Sequence, residues 1–331
     1  MQNIVRASLG RIAKFGEFEI NPVDREHWQH ADYAVAEVTD SPGPNSWVEV
    51  RSGRMIQVIQ GDRILGAFGN RYATLELTGS WRSIGQDLNF QLLTGAGIFG
   101  QVTSISAYAA YPIKLKYLGH VVKHGHTCNM GDYAVLDKSK DFALPVLLIV
   151  GSSMSAGKTN SARILIRRLK KMGKRVLAAK LTGAGRYRDV LTMKDSGADV
   201  IYDFTDGGLP STVCSKEKYT KVMHRLMSNM AEEDVDIAVI EAGASPLEPY
   251  NGETAIELLR PHIKFTVLCA SDPYAAYGFI QAGDLRPDLI SGITCNTTAG
   301  QELVKQLTGA TPIRLDDPDS IQRVDALLSR I

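Results

Sequence analysis

The sequence predicts an α/β protein in two parts: a mainly β N-terminal domain, a barrel or sandwich, over residues 1–143, and a parallel-sheet domain over 144–331. Three observations predict this. Short β-branched and aromatic runs broken by turn residues fill the first part. Strand-like and helix-like runs alternate through the second, and that alternation builds a parallel sheet covered by helices. Where the second part begins, an apolar run leads into small residues, then Gly157-Lys158-Thr159, then a helical pattern. That order makes a phosphate cradle, with backbone N–H groups and a helix N-terminus facing an anion.

In the N-terminal part, strand-like runs lie at 33–38, 47–50, 55–59, 73–77, 102–111 and 115–122, with turn signals at 41–45 and at Gly61-Asp62. Residues 86–93 are the one short helical candidate, and the polar stretch 137–141 marks the boundary. Beyond it, strand-like runs at 146–150, 175–179, 237–240, 265–270, 289–294 and 312–315 alternate with helix-like segments at 160–171, 218–231, 254–259, 275–282, 300–308 and 320–329. These apolar runs are continuous rather than alternating, as strands buried on both faces require.

Composition narrows the function classes. A chain of 331 residues can bury two cores, and its 44% apolar and 22% charged content is that of an ordinary globular protein. A net charge of +1 gives no global field toward nucleic acid or an anionic membrane. No apolar run approaches the roughly 18–20 residues that span a bilayer, and the first residues lack the apolar core of a signal peptide. Cys128, Cys214, Cys269 and Cys295 show no C-x-x-C spacing, which fits reduced thiols and a cytoplasmic location.

The chemistry gathers at predicted strand ends, where ligands sit in an open α/β sheet. The loop Gly151-Ser152-Ser153-Met154-Ser155-Ala156-Gly157-Lys158-Thr159 departs from the P-loop spacing G-x-x-x-x-G-K-[ST], because Ser152 stands where a glycine is usual and Gly151 precedes it. Gly151, Ser152, Ser155, Ala156, Gly157, Lys158, Thr159 and Asn160 are the candidate phosphate contacts. Lys158 adds a point charge, and the Thr159 hydroxyl can hold Mg²⁺. Lys180 follows the run at 175–179 and leads into Thr182-Gly183-Ala184-Gly185, which sets it at the carboxyl edge near the phosphates. Arg186 and Arg188 are candidates for an anionic substrate or transition-state charge.

Glu241 ends another strand-like run ahead of Ala242-Gly243-Ala244-Ser245, a place from which it can hold Mg²⁺ opposite Thr159. Asp189, Asp195, Asp203 and Asp206 lie in a segment dense in acids and glycines. One or two of them can complete the metal shell or act as a base, with Asp189 the metal candidate. Asn296 offers the donor and acceptor that reading a nucleobase requires, and it also suits a helix N-cap. His120, His124, His126 and Cys128 bring four metal-capable side chains into nine residues. Their role stays open, because no matching ligand pair is nearby.

The loop, Lys180, Glu241-Ala242-Gly243-Ala244 and Asn296 resemble, over about residues 145–331, the dethiobiotin synthetase-like branch of the SIMIBI-class P-loop NTPases. That branch shares the shifted glycine, although it often has an acid where this chain has Ser153. The resemblance implies Mg²⁺ and ATP as cofactors, phosphorylation of a small carboxylate-type substrate, base contact by Asn296, and pairing as a homodimer. Lys158, Lys180, Glu241 and Arg186 become the expected catalytic set, with Thr159, Glu241 and Asp189 around the metal. A narrower likeness, carried by Thr182-Gly183, Gly185, Asp199 and Asp203-Phe204, is to the DUF1611 family, which includes D-glutamate N-acetyltransferases. It implies an alternative in which the cradle holds the phosphates of acetyl-CoA for an N-acyltransferase. A third reading is a nucleotide-gated binding module. The expected partner in the enzymatic readings is a small molecule, with no nucleic acid and no membrane.

Overall fold

The computed structural model describes residues 4–331 except 42, 44 and 45. Two compact units divide the chain. The first comprises Met1–Leu136, Ala184–Arg188 and Phe204–Val222; the second comprises Asp137–Gly183, Asp189–Asp203 and Met223–Ile331.

The first unit holds β1 (Ile4–Arg6), β2 (Glu19–Asn21), β3 (Tyr33–Asp40), β4 (Trp47–Glu49), β5 (Met55–Gln57), β6 (Arg63–Phe68), β7 (Asn70–Tyr72), β8 (Leu77–Ser80), β9 (Asn89–Thr94), β10 (Ile98–Ile105), β11 (Lys114–Lys123) and β12 (His126–Thr127). Strands β6, β3, β11, β9 and β10 pair in that order, and β10 returns to pair with β6 in parallel. The sheet therefore closes into a five-stranded barrel, which removes the exposed edges an open sheet would leave. Closure needs bends, and register shifts in β10 and β11 supply them. It also needs a close approach at Gly66, where a Cβ would lie 2.4 Å from the Gly97 carbonyl oxygen and 2.6 Å from the Phe99 ring. Alternate side chains of β3 (Ala34, Ala36 and Val38) join Phe68, Phe90, Phe99, Trp28 and Tyr117 in the core. Trp28 stacks on Phe68 at 4.4 Å.

The second unit holds β13 (Val146–Gly151), β14 (Val176–Thr182), β15 (Val200–Asp203), β16 (Ile237–Ala242), β17 (Ile263–Cys269) and β18 (Leu289–Ser291), all parallel, in the order β15-β14-β16-β13-β17-β18. The helices are α1 (Lys158–Lys171), α2 (Tyr187–Asp195), α3 (Lys216–Met230), α4 (Gly252–Leu259), α5 (Pro273–Ala282), α6 (Thr298–Thr308) and α7 (Ile321–Leu328). Leu165, Ile166 and Leu169 of α1 pack with Leu147, Ile149, Val176 and Val239 of the strands in one core. After β13 the chain skips one place to β14, and β16 later fills the gap. That order sets the carboxyl ends of β13, β16 and β14 side by side, where an α/β sheet binds ligands. No helix among the described residues is long and apolar enough to cross a membrane.

Several expected elements differ. Residues 86–93 are not helical: Leu88 has φ 56°, and β9 is drawn into the barrel by pairing with both β10 and β11. Residues 73–76 form a turn between β7 and β8, and the strand expected over 102–111 ends at Ile105. The run at 289–294 breaks at Gly292, whose φ is +88°, and 312–315 contributes a single bridge, Pro312 to Ile290. Helix α2 and strand β15 were not expected. The turn signal at 41–45 falls partly outside the described residues.

Replacing Phe68 by Ala should cost roughly 3–5 kcal/mol. All three tryptophans, Trp28, Trp47 and Trp81, belong to the first unit. Urea unfolding followed by tryptophan fluorescence should therefore show the lowered midpoint directly.

Candidate functional site

Strand β13 ends at Gly151, and α1 begins at Lys158. The turn between them is tight. Ser155 has φ 65° and Gly157, which precedes the helix, has φ 100°, a left-handed conformation that favours glycine. The Lys158 side chain is 4% exposed and folds back over the loop, where Nζ donates to the Ser153 carbonyl oxygen at 2.7 Å. A Cβ on Gly151 would lie 2.6 Å from Lys158 Nζ and 2.7 Å from its Cδ, so the lysine in this position passes directly over Gly151. Ser152 supports the loop from the side, its Oγ accepting from the Ser271 N–H at 3.2 Å.

Thr159 lies in the first turn of α1, and its hydroxyl donates to Glu241 at 3.1 Å. Glu241 is 2% exposed and lies within β16, one residue before its end, rather than beyond the strand. Lys180 likewise lies inside β14, which continues to Thr182. Register places Lys180 between Glu241 of β16 and Asp203 of β15. The ammonium is 5% exposed and donates to Asp189 at 2.5 Å. Gly243 packs against the end of β14, where a Cβ would stand 2.3 Å from the Thr182 carbonyl oxygen and 2.5 Å from Lys180 Cε. The structure thus brings together Gly151, Lys158, Thr159, Lys180, Asp189 and Glu241, and adds Asp203.

The charges act on one another. Burial lowers Lys158 below its ordinary value of 10.5, against the pull of Glu241. Burial also works against the charged form of Lys180, but the carboxylates of Asp189, Glu241 and Asp203 outweigh it and hold the ammonium above its ordinary value. Glu241 is raised, first by burial and then by Asp189, with Lys180 and Lys158 opposing.

Other expected residues are not drawn into this cluster. Ser155, Asn160 and Asn296 are exposed, and Asn296 closes a short 3-10 turn after β18. Arg186 and Arg188 are exposed in the stretch that groups with the first unit, as does Asp206, whereas Asp195 ends α2 in the second. The histidine–cysteine cluster disperses. His120 is fully buried between Tyr117 (Nδ1 to Oη 2.5 Å) and Asp32 (Nε2 to Oδ2 3.3 Å), and Cys128 accepts from the Tyr133 hydroxyl. His124 and His126 are exposed, and no group of metal-capable side chains forms among the described residues.

Sequence reasoning missed Gly292. A Cβ there would lie 2.3 Å from the Ala156 carbonyl oxygen, and one on Gly157 would lie 3.2 Å from Gly292 Cα. The phosphate loop and the turn after β18 touch backbone to backbone. Only the glycine inside an apolar run hinted at this.

No protein-family model matches the sequence, and no curated protein does. Among solved structures, the chain is similar to the signal recognition particle receptor FtsY from Elizabethkingia anophelis, at 15% identity and a TM-score of 0.37, over 51% of this chain and 57% of that one. It is similar to a ParA family ATPase from Chlorobium tepidum TLS at 14% identity and a TM-score of 0.33, over 57% and 90% of the two chains. A DUF1611 family protein from Anabaena variabilis matches at 17% identity and a TM-score of 0.38, over 57% and 58%. The chain spans a little over half the length of the FtsY receptor.

A charged Lys158 penalises the ligand-free fold at neutral pH. The penalty fades as pH rises through the lowered folded value toward 10.5, where the unfolded chain binds more protons than the folded one. Lys158→Met should therefore stabilise the ligand-free protein at pH 7. The gain should shrink as the pH is raised, which thermal unfolding between neutral and alkaline pH measures.

Proposed function

We propose that the second unit is a Mg²⁺- and ATP-dependent phosphoryl-transfer site that activates a small carboxylate-type acceptor. The observation that carries this reading is the row formed by Thr159, Glu241 and Lys180 on adjacent elements, beside the loop that seats Lys158. The donor set fits magnesium. A hydroxyl and a carboxylate, both hard oxygen donors, face each other at 3.1 Å. Around them, Asp189 and Asp203 add further carboxyl oxygens, donors of the kind a divalent cation binds.

The roles follow from position. The loop N–H groups and Lys158 take the β- and γ-phosphates, a phosphate oxygen replacing the Ser153 carbonyl as the lysine's partner. Thr159 and Glu241 would hold Mg²⁺, which supplies charge neutralisation on the transferring phosphoryl group. Lys180, kept charged by its carboxylates, orients an anionic acceptor and stabilises charge that develops toward the transition state. Asn296 contacts the base.

Isothermal calorimetry with ATP tests the reading. Wild-type protein should bind ATP more tightly with Mg²⁺ than with EDTA. Thr159→Ala should erase most of that difference, whereas Lys180→Ala should leave binding within about threefold and abolish turnover, the pattern of an interaction made in the transition state. Stabilisation by acetyl-CoA with no response to ATP in a thermal-shift assay would transfer the cradle to coenzyme A and sink the proposal.

A further inference from the structure

Within the second unit, the turn after β18 is pinned to the phosphate loop. The Ile293 N–H donates to the Ala156 carbonyl at 3.4 Å, and Gly292 lies against Ala156 and Gly157 backbone to backbone. On its other side the turn is tied to the end of β17, where the Thr294 N–H donates to the Ala270 carbonyl at 3.0 Å. Inside it, the Cys295 N–H donates to the Gly292 carbonyl and the Asn296 N–H to the Ile293 carbonyl, both at 3.1 Å. This is a single 3-10 turn, in which side chains three positions apart lie one above the other. Thr294 and Cys295 are buried, whereas Ile293 is 50% exposed and Asn296 is exposed beside it. An isoleucine and an amide thus share the outer face of a turn bonded to the loop.

Strand order decides what this face meets. In the order β15-β14-β16-β13-β17-β18, Lys180 lies on β14, two places to one side of the strand that feeds the loop, and Ile293 follows β18, two places to the other. The side toward Lys180 is filled with buried charge, Glu241 and Lys180 both being sheltered from solvent. Phosphoryl transfer sets the attacking and leaving oxygens roughly in line. With the acceptor at Lys180, the leaving nucleotide therefore extends the other way, toward the β17–β18 side, where Ile293 and Asn296 are exposed beside the loop. A nucleobase has apolar ring faces and hydrogen-bonding edges, and this turn offers an aliphatic side chain and an amide to match them. We infer that Ile293 is a specificity-determining residue that packs against the ring of the bound nucleobase, with the Asn296 amide at the ring's edge. The larger ring system of a purine covers more of the isoleucine than a pyrimidine does, so the favoured occupant is a purine nucleotide. The inference rests on the phosphoryl-transfer reading, because the in-line argument needs an acceptor at Lys180.

Calorimetry on the full chain in Mg²⁺ tests this with three probes: ATP, CTP and inorganic tripolyphosphate, which has the phosphates and no base. Wild-type protein should bind ATP more tightly than CTP. Ile293→Ala shortens an exposed side chain and should leave the thermal midpoint within about two degrees of wild type. Its affinity for ATP should fall about fivefold, and for CTP by less, while its affinity for tripolyphosphate stays at the wild-type value. Ile293→Leu, which keeps the apolar surface, should retain most of the ATP affinity. Equal losses for ATP and tripolyphosphate in Ile293→Ala would overturn the inference by reducing Ile293 to a support of the loop. Unchanged ATP affinity in that variant, or equal affinities for ATP and CTP in wild type, would overturn it as well, with the phosphate cradle intact. Failure of wild-type protein to bind either ATP or tripolyphosphate would instead overturn the phosphoryl-transfer reading, and the base contact with it.

Discussion

Everything at the candidate site depends on how Lys180 is held. An ammonium taken out of water costs several kcal/mol unless partners replace its solvation. Here they come from two directions, the strands on either side supplying Glu241 and Asp203 and the first turn of α2 supplying Asp189. The surroundings of the lysine are therefore fixed by sheet register and by a helix start, both rigid. Glu241 in turn accepts from Thr159, which ties the lysine's neighbourhood to the phosphate loop. One contiguous charge network joins the loop, the two strand ends and the helix, and a network of buried charges holds together only as a whole.

The phosphate loop shows how a departure from a motif can be a consequence of geometry. A glycine lets another group pass close to the chain. In this loop the passing group is the stem of Lys158, and the residue it crosses is Gly151. Position 152 carries a side chain that is used: the Ser152 hydroxyl accepts from the backbone at Ser271. The backbone contact between Gly157 and Gly292 then presses the loop against the turn after β18. Two glycines far apart in sequence thus set the depth of one loop.

In the first unit, polar residues that invited a metal-binding reading serve the core. His120 is enclosed by aromatic rings, and its two ring nitrogens face Tyr117 and Asp32. Asp32 is itself bonded by the Gln29 N–H and the Asn129 amide. Of the two His120 ring nitrogens, Nδ1 is hydrogen-bonded to the Tyr117 hydroxyl, whereas Nε2 stands 3.3 Å from Asp32 without a hydrogen bond. Strand β11 ends at Lys123, and the turn at His124, whose φ is 51°, and Gly125 leaves His124 and His126 exposed while His120 stays in the barrel, so proximity in sequence did not become proximity in space.

What the sequence determined by itself is local or periodic. Continuous apolar runs marked β13, β14, β16 and β17, helical spacing marked α1, and Gly157-Lys158-Thr159 marked the loop, because each of these follows from residues close together in the chain. Lys180 and Glu241 could be placed at strand ends for the same reason. Only the tertiary structure decided the rest. Residues 89–94 became a strand because the barrel offered partners on both sides. Helix α2 escaped notice because the acceptor for its Tyr187 N–H, Glu49, lies 138 residues upstream. Asp203 and Asp189 were two acids among four until register and the helix start turned them toward one lysine. Caps and charge partners supplied from far along the chain leave no local signal, since the energy that selects them exists only once the strands have found their order.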